Sequence, residues 1–219
     1  MRKKNARKKW NKIYKKICKS NRLRSKRLAK KYGDWILVHN VWNGKVDKRD
    51  KWLSNEYDAF QHSGWNDLWH MCIDEINEEV HKNKYVERNF YFTQIKEKYG
   101  EIRAYTNFYT KEIDRIIGNY SYISGNVCQR CGKPDSSISK GYWVECCCKD
   151  CYEKEWKGRG HRPYEEVYDT NSEHTIIPDV RTVCHFSKDG DWNEDIDISK
   201  TVKKVRDNWN KKQERKQKK

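Results

Sequence analysis

Proline is scarce, with three residues in 219, so no proline-rich linker divides the chain. Long apolar runs are missing too. The longest near the start, Trp35 to Val38, has four residues, against about 20 for a membrane-spanning helix. Acid is absent from residues 1–31. That stretch also lacks an apolar core and a small-residue cleavage site, so it does not read as a secretory signal. Its cations are mostly Lys, where a transit peptide favours Arg and Ser. There is no internal repeat, no glycine-rich phosphate loop and no nucleophile motif, and no small-molecule substrate is evident.

What the chain has in abundance is charge. Charged residues make up 37% and hydrophobic residues 35%, with a mean hydropathy of -1.23. An ordinary globular chain is about 25% charged. Part of this one is therefore solvated or folds against a partner. The net charge of +16 is unevenly placed. Residues 1–31 hold 16 Lys or Arg and no acid; residues 199–219 hold 10 against Asp207 and Glu214. The remaining stretch, 32–198, carries 22 basic and 30 acidic residues and is mildly acidic. Blocks of one sign at chain ends suit nucleic acid, because each cation that neutralises a phosphate releases a counterion. The N-terminal candidates are Arg2, Lys3, Lys4, Arg7, Lys8, Lys9, Lys12, Lys15, Lys16, Lys19, Arg22, Arg24, Lys26 and Arg27. Trp10, Ile13, Tyr14 and Ile17 fall on one helical face among them. Val202, Val205 and Trp209 make a weaker stripe in the C-terminal arm.

Nine cysteines are present, and six of them lie within 24 residues. An odd, clustered set in Cys-x-x-Cys pairs points to a metal in a reducing compartment rather than to a disulfide scaffold. The pairs are Cys128/Cys131 and Cys148/Cys151, with 16 residues between them. Two such turns joined by a short hairpin can present four sulfurs tetrahedrally to one Zn²⁺. Cys146 and Cys147 precede Cys148 directly, but only Cys148 has the two-residue gap to Cys151. The other two read as small, partly buried hydrophobes. Four thiolates leave no open position for water, so the zinc is expected to be structural.

Elsewhere the pattern is mixed. Trp35 to Trp42 reads as a strand turned by Asn43-Gly44. Trp65, Leu68, Trp69, Cys72, Ile73 and Ile76 predict a helix running to about Val80. Alternation over Phe90 to Tyr105, broken at Tyr99-Gly100, predicts a hairpin with Phe90, Phe92 and Gln94 on one face of its first strand. Ile113, Ile116, Ile117, Tyr120 and Ile123 predict a second helix, stopped by Gly125. The fold class is thus α+β: helix, β-hairpin and helix packed with a four-cysteine, zinc-ribbon-like hairpin, between basic terminal arms. The expected segments are a basic arm or helix at 1–31, an α+β domain at 32–125, the zinc hairpin at 126–155, an irregular or extended polar stretch at 156–198, and a basic tail at 199–219.

The stretch Gln94-Ile-Lys-Glu-Lys-Tyr-Gly-Glu-Ile-Arg-Ala-Tyr105, the following helix, Ser124 to Cys131, and Gly141-Tyr-Trp143 leading to Cys148 together resemble a family of small uncharacterised bacterial and bacteriophage proteins. Their pattern is a Lys-Glu-Lys-Phe-Gly turn, then Leu-Arg-Phe-Tyr, a helix, a Cys-x-x-Cys-Gly, and a Gly-Trp before a second ligand pair. The resemblance covers residues 63–151. It departs at Tyr99, Ile102 and Ala104, and at Cys151, where the family often has His. In that family the second pair begins five residues after the Trp, which here is Cys148. The resemblance implies the fold and a phage or bacterial origin, hence a bacterial cytoplasm, and it implies no reaction. A Lys-, Asn-, Ile- and Tyr-rich composition suits an AT-rich phage genome.

Other motifs are incomplete. Lys96, Glu97, Lys98 and Arg103 could be catalytic, but read as a charged hairpin surface. Glu173-His174 to Pro178 resembles part of an HNH nuclease motif, without the downstream arrangement. Asp189 to Asp197 resembles a calcium loop, with Glu194 where glycine is needed and Lys200 where the bidentate Glu belongs. His161, His174 and Cys184 select no metal geometry. The expectation is a non-enzymatic zinc protein that associates with nucleic acid or a nucleoprotein complex through its basic arms. The alternatives are a protein-only adaptor or inhibitor acting on a host complex, and a nuclease with a structural zinc.

Overall fold

The structure, a computed structural model, describes residues 26–37, 39, 44–46, 63–140, 144–156, 162–168, 180–184 and 193–218. Of the N-terminal cations, Lys26 and Arg27 fall within it and are exposed; the other twelve, and the Trp10–Ile17 stripe, lie outside the described residues.

The architecture is α+β. Residues 26–32 are helical and lead into a 3-10 turn, Asp34–Ile36. A second 3-10 turn, Ser63–Trp65, starts helix α1, Asn66–His81. Helix α2, Lys84–Asn89, follows, and then the antiparallel strands β1, Phe92–Lys98, and β2, Glu101–Thr106. Helix α3 is Lys111–Ser124. The two-residue strands β3, Ser137–Ile138, and β4, Cys146–Cys147, pair antiparallel before helices α4, Lys149–Trp156, and α5, Tyr164–Val167. Strands β5, Val180–Cys184, and β6, Asn193–Asp197, pair antiparallel, and helix α6 is Ser199–Gln217. None of the described helices is long and apolar enough to cross a membrane.

The main core forms where the apolar stripes of α1 and α3 meet the inner face of β1–β2. Leu68, Trp69, Cys72, Ile73, Ile76 and Val80 from α1 are buried with Ile113, Ile116, Tyr120 and Ile123 from α3. Trp69, Phe90 and Phe92 are packed ring against ring, with Trp35 closing the group at 5.6 Å from Phe90. Thr110 caps α3 by accepting from the Ile113 amide at 3.2 Å.

Three expectations are corrected. Trp35 and Ile36 lie in a 3-10 turn rather than a strand, because both of these successive apolar side chains are drawn inward to the core. Of the expected hairpin, the described residues show an antiparallel bridge, His39 to Val46. In β1 the register shifts between Phe92 and Gln94, so Ile95, not Gln94, joins Phe92 in the core. A bulge inserts one residue and flips the faces beyond it. The 156–198 stretch contains α5 and the β5–β6 pair. That pair places Asn193, Asp195 and Asp197 along a strand instead of around a cation loop.

The largest correction is the C-terminal arm. It is the 19-residue helix α6, and Ile198, Val202 and Val205 belong to the main core. Lys212 pairs with Asp67 of α1 at 2.5 Å, and Arg206 pairs with Asp135 at 3.0 Å. Residues 26–32 are anchored similarly, through buried Leu28 and Tyr32 and the Lys31–Asp74 pair. Val202→Ala and Val205→Ala should therefore each destabilise the whole chain, by about 1–2 kcal/mol, as expected for removing buried methyl groups. Urea unfolding measures this; a flexible tail would give no change.

Candidate metal centre

Cys128 and Cys131 sit in a tight turn just after α3. The turn closes through Gly132 N–H to Cys128 O and Cys128 N–H to Lys133 O, both at 2.9 Å. Gly132 takes φ +84, in the left-handed region. Cys148 and Cys151 come from the start of α4, where the Cys151 and Tyr152 amides donate back to Cys148 O at 3.1 and 3.0 Å. Thiolates at a helix N-terminus gain from its unpaired amides and dipole. The β3–β4 ladder brings the two turns together, and Gln129 N–H donates to Cys146 O at 3.0 Å.

As a result the four sulfurs of Cys128, Cys131, Cys148 and Cys151 lie within 4.8 Å of one another. Cys131 and Cys148 are 3.6 Å apart, sulfur to sulfur. A disulfide needs about 2.05 Å. An ion about 2.3 Å from each of four tetrahedral sulfurs separates them by about 3.8 Å. The donor set fits a metal ion. Backbone N–H groups of Cys148, Lys133 and Cys151 reach the sulfurs of Cys128, Cys131 and Cys148 respectively. Cys128 and Cys148 are buried, while Cys131 and Cys151 are half-buried.

The electrostatics are those of crowded thiols. Hydrogen bonds from Cys131, Cys147 and Cys148 hold the Cys128 thiol far down, and the same contact pushes Cys131 up to about 12. Burial pushes Cys151 up to about 12. Thiols this close lower one another's cost of losing a proton only by sharing it, and a cation held among them would take the place of those protons.

Cys146 and Cys147 are buried, and neither belongs to the four-sulfur cluster. Cys147 does more than fill space, since its thiol reaches the Cys128 sulfur. A second, smaller core covers the site with Tyr152, Tyr164 and Tyr168. Tyr164 stacks on Tyr168 at 4.5 Å and donates to Cys147 O at 2.6 Å. Arg130, inside the first Cys-x-x-Cys, pairs with Glu145 at 3.0 Å and also with Glu155. Tyr168 donates to Glu145 as well. These tyrosines and the Arg130 network carry no spacing signal, so the sequence did not point to them.

The centre is locked to the main core by backbone contact. Gly64 N–H donates to Gln129 O at 2.9 Å, and Trp65 Nε1 donates to Val127 O at 2.7 Å. A Cβ on Gly64 would lie 2.1 Å from Cys128 O, and one on Gly132 would lie 2.7 Å from Gly64 O.

Among the described residues, the other candidates form no second metal-ligating cluster. Glu97 accepts from the Gly100 amide at 2.7 Å, and Arg103 pairs with Glu101 at 2.9 Å. Glu173 to Pro178 and His161 lie outside the described residues, and Cys184 lies in β5. Comparison with protein-family models, with curated proteins and with solved structures finds no match to this chain.

Proposed function

We propose that the chain is a non-enzymatic, zinc-stabilised protein that associates with nucleic acid or a nucleoprotein complex through its basic ends. The metal assignment follows from the donor set. Four soft thiolates in tetrahedral spacing suit Zn²⁺, and a closed set of protein ligands makes it structural rather than catalytic. The resemblance to phage and bacterial proteins supports a phage-encoded chain working in a bacterial cell.

The observation that carries the nucleic-acid reading is the outward face of α6. Val202, Val205 and the half-buried Trp209 define the docked side. Opposite them, at helical spacing, stand Lys200, Lys203, Lys204, Lys211, Arg215 and Lys218, six cations against the two acids of that side, Asp207 and Glu214. None of these six forms an ion pair among the described residues. Fixed, unpaired cations along one side of a helix are a footprint for phosphates. Residues 1–31 supply 16 further Lys or Arg to the chain's positive charge.

The test is a salt series with labelled duplex and single-stranded DNA and RNA. Lys200→Glu/Lys204→Glu/Lys211→Glu leaves the docked side intact. It should flatten the dependence of log affinity on log salt by about 2–3 for duplex, at roughly 0.9 per lost phosphate contact. Deleting residues 1–25 removes twelve cations and spares Leu28, and should flatten it further. Unchanged affinity in both variants would sink the proposal. Absence of binding by the intact chain would favour a protein-only adaptor.

A further inference from the structure

The β1–β2 hairpin carries a second feature that the metal centre and α6 do not use. Its inner face packs on the core, and its outer face presents Gln94, Lys96 and Lys98 beside Glu101, Arg103 and Tyr105. The carboxylates are already engaged. Glu101 pairs with Arg103 at 2.9 Å and accepts from Ser121 at 3.1 Å. Glu97, at the same end, accepts from the turn amide of Gly100. Lys96 and Lys98 have no carboxylate partner among the described residues. Each rests on a tyrosine instead. Lys96 Nζ lies 5.3 Å from the centre of the Tyr105 ring, and Lys98 Nζ lies 5.0 Å from that of Tyr99.

We infer that this face is a binding surface for a single-stranded nucleic acid, with Tyr99 and Tyr105 stacking on unpaired bases and Lys96 and Lys98 holding the phosphates between them. The inference rests on the nucleic-acid reading above and names a place for it on the β1–β2 hairpin. A cation parked on a ring is held by a weak contact worth roughly 0.5–1 kcal/mol at an exposed site, so a phosphate can take it over. Tyr99 is 62% exposed, a large cost-free platform at the turn. Its φ of +55, beside Gly100 at +76, belongs to the tight two-residue turn that projects the ring outward. Lys96 and Lys98 are two residues apart on one strand face, about 6.7 Å, within the span of one nucleotide of an extended strand. A duplex would offer base edges, which Arg, Asn and Gln read. Of those residues this face has Arg103, held by Glu101, and a single Gln94, while the tyrosines offer faces that any unpaired base can cover.

The experiment uses the metal-loaded full chain and three labelled probes: a poly-dT strand, the same strand with abasic sites, and its duplex. Tyr99→Ala and Tyr105→Ala should each weaken the single strand by about 5- to 150-fold, the range for one lost stack, with an unchanged salt slope. Tyr99→Phe and Tyr105→Phe keep the ring and should bind as the native chain does. Lys96→Ala/Lys98→Ala should lower the single-strand slope by about 1.4. The native chain should prefer the intact strand to the abasic one, and Tyr99→Ala/Tyr105→Ala should not. Wild-type affinity in the alanine variants, or equal affinity of the native chain for abasic and intact strands, overturns the inference. If the α6 charge reversals still weaken binding in that case, only the role of the hairpin falls. If the native chain binds none of the probes, both fall together.

Discussion

Stripping the metal should unfold the main core as well as the cysteine turns. The reason is the route by which the turns reach α1. Cys128 lies in the same short segment as Val127 and Gln129, whose carbonyls accept from Trp65 and Gly64 at the entrance to α1. Trp65 is fully buried. Without a cation, four thiolates this close repel one another, and as thiols they keep only weak S–H contacts such as that of Cys131 with Cys148. The free energy of binding a structural zinc, about 10–16 kcal/mol in zinc-finger peptides, is also folding free energy. If only 4 or 5 kcal/mol of it reaches α1, the melting temperature should fall by about 10–20 °C for a chain of this size. Cys128→Ser and Cys151→Ser should do the same and carry no zinc, while Cys146→Ser should keep one zinc per chain. Elemental analysis beside near-ultraviolet circular dichroism reads both effects. Zinc retained in Cys128→Ser and lost in Cys146→Ser would overturn the ligand assignment, and an unchanged tryptophan signal on chelation would overturn the coupling.

Gly64→Ala should be about as damaging while leaving every cysteine in place. Its Cβ would meet Cys128 O at 2.1 Å, Gly132 N at 2.5 Å and Gln129 C at 2.8 Å. All three are backbone atoms, so no side chain can move aside. Either α1 or the first Cys-x-x-Cys turn must shift, at a cost above about 4 kcal/mol, which is exceptional for one methyl group. Gly132→Ala strains the same crossing from the other side and adds the penalty of a φ of +84. Because both break one contact, the double variant should be little worse than Gly64→Ala alone. Chemical denaturation of the two single variants and the double one decides it. Gly64→Ala with native stability would mean that the crossing is looser than its distances.

How far the sequence disclosed this arrangement depended on the kind of signal each residue leaves. The four-cysteine cluster was legible because a two-residue gap is chemistry written in spacing, and the Cys148 choice followed from it. Helices α1 and α3 were legible because each buries a long stripe at helical period. Helix α2 was not, since only Val86 among its six residues is buried and its start rests on the Asn83 cap. The face assignment of β1 failed at Thr93, because a bulge leaves no mark in an alternating pattern. Helix α6 was read as a tail because three apolar residues among ten cations look solvated until Met71, Asp67 and Asp135 are known to face them. Gly64 and Gly132 were visible as glycines, but a glycine does not name the backbone that crosses it.

The place of α6 in the chain has a consequence for biosynthesis. Its bonds to Asp67 and Met71 join residues more than a hundred positions apart, with the Asn208–Met71 pair separated by 137. A ribosome delivers α1 long before Val202 and Val205 exist to cover it. During that interval α1 keeps an uncovered apolar flank, and closing such distant contacts is slow. The cysteine turns, by contrast, need only the 24 residues from Cys128 to Cys151. They can capture their cation while the rest of the chain is still being made, giving the nascent polypeptide a rigid end onto which the late helix closes.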